Sequence, residues 1–203
     1  MINDGKLTAE RVLVQELGYF AKLPFKGLTA DVRAFHEEIR NGIANNRPDP
    51  PEFPEIYRNT EASTIHGVEY QLGFNPLEST RVLWSQTWTQ IDVKSSVDDI
   101  RTYRTEAGAA PRAVSLSVAH KLAPGWDLSL AYNLSEGIAL MSSDSGERYT
   151  MERTDVRLAR SFRWAGTKAE LSLTVQNLGP ALRDGDSKFF FDQRAFVALR
   201  LGF

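Results

Sequence analysis

The chain ends Ala195-Phe196-Val197-Ala198-Leu199-Arg200-Leu201-Gly202-Phe203, a run with an apolar residue at every second position. In an extended strand Ala195, Val197, Leu199, Leu201 and Phe203 share one face, while Arg194, Phe196, Ala198, Arg200 and Gly202 take the other. An apolar row backed by a mixed, partly charged row suits a wall between lipid and a wet interior. A terminal aromatic ring is at home at the boundary between lipid and water. A strand of a soluble sandwich can show the same pattern, so the weight falls on its recurrence upstream.

It recurs along most of the chain. Ala169, Leu171, Leu173 and Val175 alternate with Lys168, Glu170, Ser172 and Thr174. Val156, Leu158, Phe162 and Trp164 alternate with Asp155, Arg157, Ala159 and Arg163, Arg160 interrupting the apolar row. Trp126 to Leu134, Val114 to Val118 and Val68 to Phe74 repeat the pattern. Between Arg81 and Val93 it is mixed, with Trp84 and Trp88 on one face and Leu83, Ile91 and Val93 on the other. With Leu13–Leu23 and Leu28–Ile43 the set amounts to about nine strands, although helix is a rival over Val12–Leu23 and Val32–Ile43. The fold class is all-β, an antiparallel up-and-down meander.

The connections sharpen this. Pro24-Phe25-Lys26-Gly27, Asn75-Pro76-Leu77-Glu78, Ala123-Pro124-Gly125 and Ala165-Gly166-Thr167 read as tight turns. Between them fall the longer links 44–59, 95–111, 141–148 and 179–192. Strict alternation of short and long puts turns at one rim of a meander and loops at the other, as in outer-membrane barrels. Phe25, Phe74, Trp126, Trp164 and Phe203 fall beside the short-turn rim as candidate interface aromatics, and Tyr57, Tyr103, Tyr149 and Phe189-Phe190-Phe191 lie toward the other.

Composition bounds the partners. A formal net charge of −2 lacks the basic excess of a nucleic-acid surface. There is no cysteine for a disulfide or thiolate metal site. No stretch reaches the roughly 18 apolar residues of a membrane helix, which leaves membrane strands open. The start, Met1-Ile2-Asn3-Asp4-Gly5-Lys6, lacks a secretion signal, so an outer-membrane reading expects this chain to belong to something longer.

No catalytic constellation stands out. His36, His66 and His120 are far apart in sequence and read as isolated side chains. Ser115, Ser117, Ser129 and Ser172 read as lining, and Gly67 and Gly73 as places of curvature or close approach. Asp49, Glu52, Glu55, Asp98, Asp99, Asp184 and Asp186 read as solvated loop acids. Glu69, Asp155, Arg157, Arg163, Lys168, Glu170, Arg194 and Arg200 form an inward row of mixed sign. The expectation is a non-enzyme with no cofactor and no metal.

Several segments resemble the TonB-dependent outer-membrane receptors. Leu7-Thr8-Ala9-Glu10-Arg11-Val12 followed by Gln15-Glu16-Leu17-Gly18-Tyr19 is similar to that family's "L-x-P-E-x…E-L-G-Y" segment, with Ala9 where proline is commoner. Asp31–Phe35 and Ile39–Ile43 resemble the next strand, and Asn59–Glu69 its "I-x-G-V-E" strand. Val175–Gly179 and Leu201-Gly202-Phe203 resemble the last two strands. The resemblance implies a barrel of about 22 strands closed by an N-terminal plug, importing siderophore-iron, cobalamin or a similar scarce nutrient. Residues 1–203 would be its C-terminal segment, with Ala195, Val197, Leu199, Leu201 and Phe203 as the barrel-assembly strand. Its implied partners are outer-membrane lipid, the missing plug and strands, and TonB through a missing N-terminal region. The implied location is the outer membrane of a Gram-negative bacterium. An open wall on its own does not gate transport. The alternatives are a small self-contained outer-membrane pore and a soluble ligand-binding β-barrel.

Overall fold

The computed structural model describes residues 2–3, 6–46, 56–96, 105–138, 148–184 and 189–202. The strands are β1 (Ile2–Asn3), β2 (Arg11–Lys22), β3 (Thr29–Asn46), β4 (Ile56–Leu77), β5 (Thr80–Ser95), β6 (Arg112–Ala123), β7 (Trp126–Ile138), β8 (Tyr149–Trp164), β9 (Thr167–Gln176), β10 (Leu182–Asp184), β11 (Phe189–Phe191) and β12 (Arg194–Gly202). One sheet runs β12-β9-β8-β7-β6-β5-β4-β3-β2, each neighbour antiparallel to the next. The stretches for which helix is a rival, Val12–Leu23 and Val32–Ile43, lie in or beside β2 and β3. Their alternating side chains find cross-strand partners along nearly their whole length, which outweighs local helix propensity.

Two features depart from the simple meander. Ile2–Asn3 pairs in parallel with Ile56–Tyr57, a short addition to the edge of β4 opposite the one that β3 takes. The expected turn at Asn75-Pro76-Leu77-Glu78 is also displaced: β4 continues to Leu77, which pairs with Thr80 across Glu78-Ser79. Pro76 sits instead in a register shift between Phe74 and Leu77, where a residue without an N–H costs no ladder bond.

The short links gather at one rim. Ala165 and Gly166 both take positive φ, 49° and 83°, in the two-residue hairpin turn that matches strand twist. Lys26 and Gly27 at φ 48° and 61° close the link from β2 to β3, and Leu23 N–H donates to Leu28 C=O over 2.7 Å. The long links gather at the opposite rim, where β3 carries a bulge between Ile39 and Ile43 with Asn41 at φ 58°. Asn59 Nδ2 fastens that bulge, donating to Asn41 C=O and, over 2.9 Å, to Thr8 C=O.

Register divides the sheet into two faces. Leu171 faces Leu199 and Leu173 faces Val197, whereas Glu170 faces Arg200 and Ser172 faces Ala198. Followed strand by strand, the first set continues through Leu158, Leu130, Val118, Val82 and Phe74. All four tryptophans, Trp84, Trp88, Trp126 and Trp164, stand on this apolar face. The expected grouping of Leu171, Leu173, Val175, Val197, Leu199 and Leu201 is therefore met. Nothing among the described residues packs over it. The only buried hydrophobic residues among them are Ala107, Ala159 and Ala169, while Leu17 is 78% and Val197 67% exposed. Each large apolar side chain left in water forgoes roughly 1.5–3 kcal/mol, so a single-layer sheet of this kind needs an apolar surrounding.

The sheet is also open. β2 and β12 stand at opposite ends of the strand order, so each leaves one side of its ladder unpaired.

Candidate functional site

The face opposite the apolar rows has a floor of small side chains between two charged flanks. Ser115, Ser117 and Ala119 of β6 lie opposite Asn133, Ala131 and Ser129 of β7, and Ser85 and Thr87 of β5 extend the floor sideways. A groove of about 340 Å³ opens over it, lined in part by Arg81, Ser117, Ser129, Asp155 and Arg157. Because period two is strict, the serines singled out in the sequence all come to this one face, as lining.

One flank lies on β2 to β4. Arg33 Nε donates to Glu69 Oε1 over 2.8 Å, and its Nη1 lies 3.4 Å from Glu16 Oε1. A neighbouring groove of about 420 Å³ is bordered by Asp31, Arg33, Glu69, Gln71, Ser85 and Thr87. The other flank lies on β8, β9 and β12. Arg157 Nη2 donates to Glu170 Oε1 over 2.7 Å, with Arg200 Nη1 3.9 Å from the same oxygen. Arg153 donates to both oxygens of Asp155, over 2.8 and 2.6 Å. The mixed-sign row expected from Glu69, Asp155, Arg157, Glu170 and Arg200 thus becomes two sets of ion pairs, across strands for Glu69, Arg157, Glu170 and Arg200 and within β8 for Asp155. Arg163 and Lys168 face each other between them and the short-turn rim, and Arg194 lies at the long-link rim.

Asn177 ties the last long link to this wall. It is fully buried with φ 53°, and its Nδ2 donates to the carbonyls of Pro180 and Phe191, both over 3.0 Å. Its backbone N–H donates to Asp155 Oδ1 over 3.0 Å. The Phe191 ring then lies against two guanidiniums, 4.7 Å from Arg153 and 4.3 Å from Arg194. The alternation of side chains does not single out Asn177 as a structural residue, although its place just after the alternating run is a cue for a positive-φ turn.

Other residues singled out in the sequence find unexpected partners. His36 and His66, expected to be isolated, are direct cross-strand partners with ring centroids 6.5 Å apart. Strand pairing brings together residues far apart in the chain. His120 pairs with Thr80, its Nδ1 2.7 Å from Thr80 Oγ1. Gly67 is small because Phe35 and β5 press on it: a Cβ there would meet Trp88 C=O at 2.2 Å and Phe35 Cζ at 2.7 Å. Phe25, Phe74, Trp126 and Trp164 all lie at or beside the short links. Ala195, Val197, Leu199 and Leu201 form the apolar row of the edge strand β12. Phe203 lies outside the described residues, as do Asp49, Glu52, Glu55, Asp98, Asp99, Tyr103 and Asp186. Asp184 closes β10.

This arrangement can hold a body by shape and by charge. Among the described residues no group of three or more His, Asp or Glu side chains is placed to hold a metal ion. No helix among them is long and apolar enough to cross a membrane, which says nothing of strands.

Sequence comparison finds no matching family model and no matching curated protein. Comparison of folds finds similarity to the crystal structure of the ferric-catecholate import receptor Fiu from E. coli K12, in its closed form. The TM-score is 0.67 at 15% sequence identity. The match covers 94% of this chain and 27% of that one. The fold is similar to part of that receptor, and the chain spans about a quarter of that receptor's length.

Proposed function

We propose that the chain forms a C-terminal part of the barrel wall of an outer-membrane import receptor of the TonB-dependent kind. The observation that carries this is the single-layer sheet itself, apolar and uncovered on one face, polar and charged on the other, and similar in fold to part of such a receptor. Lipid would cover the apolar rows, and a plug would seat on the small-residue floor between the flanks at Arg33–Glu69 and Arg157–Glu170. The activity is non-covalent transport. The ligand is a scarce nutrient, for which a ferric chelate is the first candidate and cobalamin the second.

Further strands are needed to close the wall. β2 and β12 both run from the long-link rim to the short-link rim, so they could meet only in parallel. Closure by antiparallel pairing therefore takes an odd number of additional strands, supplied by other parts of the same protein. This disfavours the small self-contained pore, because the described strands leave both edges unpaired. A soluble ligand-binding barrel would need its apolar face turned inward, yet the grooves described lie on the polar face.

Deleting the gene and following uptake of radiolabelled iron as catecholate, hydroxamate and citrate complexes, with cobalamin in parallel, tests the reading. Loss of uptake of one chelate, equally lost when TonB is absent, is the expected result. Unchanged uptake of every substrate would contradict it.

A further inference from the structure

Arg11 on β2 and Arg40 on β3 are direct cross-strand partners. Their register, two residues from the Leu13–Glu38 pair and four from Gln15–His36, puts both guanidinium stems on the apolar face. Like charges set opposite each other in an antiparallel pair repel. Only one of the two is offset: Arg40 Nη2 donates to Glu38 Oε2 over 2.7 Å. Arg11 is exposed and makes no ion pair among the described residues. Its sequence neighbour Glu10 is engaged elsewhere, Oε1 accepting the Ile43 N–H over 2.7 Å. Lys94 of β5 faces Ala62 on the same side, also without an ion pair among the described residues.

The depth of this pair matters as much as its charge. Toward the short-link rim, the same face of β2 and β3 continues through Leu17, Ala34, Tyr19 and Val32. The two arginines stand at the other end of those rows, beside the bulge at Asn41. If lipid tails cover the apolar rows, Arg11 and Arg40 lie level with the headgroups of the leaflet on the long-link side. Two forked donors borne by cross-strand partners there suit the three oxygens of a phosphate monoester, which carries more charge than a diester and accepts bidentate bonds. Basic side chains grouped at that depth attract anionic headgroups.

We propose that Arg11 and Arg40 bind the phosphate monoester of a lipid headgroup, with Lys94 as an outlying cation. The proposal rests on the membrane reading above. The protein, extracted from its membrane in mild detergent, is exchanged into mixed micelles containing phosphatidic acid (a monoester) or phosphatidylglycerol (a diester), and retained lipid is counted by native mass spectrometry. Phosphatidic acid should be retained over phosphatidylglycerol by about tenfold, and R11Q/R40Q should erase that preference, whereas R11K/R40K keeps part of it. Excess inorganic phosphate should not displace the lipid. Equal retention of the two lipids, an undiminished preference in R11Q/R40Q, or displacement by inorganic phosphate would overturn the proposal. Quenching of tryptophan by brominated lipid, read on the same samples, reports separately on the membrane reading. Quenching that persists while lipid selectivity is absent defeats the headgroup site alone. Both substituted side chains are exposed, and an unchanged β-sheet circular dichroism spectrum shows that the variants fold.

Discussion

Tyr70 Oη donates to Gln86 Oε1 over 2.9 Å, and the two residues are cross-strand partners on the apolar face. Gln86 is only 5% exposed there, screened by a ring cluster in which Trp84 and Trp88 lie 5.6 and 5.7 Å from Tyr70. A polar residue is thereby tolerated in a row that otherwise favours apolar side chains. Tyr70→Phe leaves the Gln86 oxygen without its donor and should destabilise the folded barrel by about 1–3 kcal/mol. Gln86→Leu in that background should recover most of the loss, since neither partner then needs a hydrogen bond. Urea unfolding in lipid vesicles, run as a double-mutant cycle, measures both.

Adjacent residues of β12 should respond in opposite ways to the same substitution. Leu199 lies on the apolar face and is 52% exposed, while Ala198 lies on the polar face. Leu199→Arg should cost about 2–4 kcal/mol near the bilayer midplane, and Ala198→Arg far less. Urea unfolding of the two variants in lipid vesicles measures the difference, and comparable losses would show that the faces are misassigned.

Gly67→Ala and Gly18→Ala separate a packed glycine from a free one. The first adds a Cβ 2.2 Å from Trp88 C=O, and backbone there cannot move without breaking the β4–β5 ladder. The second meets nothing nearer than Val32 C=O at 4.0 Å. Yield of folded, heat-modifiable protein should collapse for Gly67→Ala and hold for Gly18→Ala. Phe35→Ala cannot rescue Gly67→Ala, because the carbonyl clash remains.

Ala165 carries φ 49° in the β8–β9 turn, a region that an alanine enters at a cost of about 1 kcal/mol. Ala165→Asn or Ala165→Gly should therefore raise the unfolding midpoint, Asn-Gly being a preferred pair for this turn. No gain from either change would show that the turn is not of this type.

These outcomes follow from features that are unequally legible in the sequence. Strands such as Lys168–Gln176 announce themselves because Leu171 and Leu173 alternate strictly with Glu170 and Ser172, and period two admits one reading of the faces. Gln86, Arg160 and His36 look like breaks in the apolar rows, because each is accommodated by a residue on another strand. Arg160 lies 5.1 Å from the ring of its partner Trp126, as Gln86 meets Tyr70 and His36 meets His66. Cross-strand pairing has no local signature. Pro76 misleads for the opposite reason: its strong turn signal is absorbed by a bulge two residues before the hairpin. The parallel contact of Ile2–Asn3 is invisible in a two-residue segment.

The central claim is that the apolar face meets lipid, and the four tryptophans test it directly because all stand on that face. Each is kept singly, the other three replaced by phenylalanine, and the protein is placed in vesicles of phosphatidylcholine brominated at shallow or deep acyl positions. All four should be quenched by brominated lipid and protected from aqueous iodide. Trp126 and Trp164, beside the short links, should favour the shallow label, with Trp84 and Trp88 responding more to the deep one. Iodide quenching of Trp84 and Trp88 with no response to brominated lipid would contradict that claim.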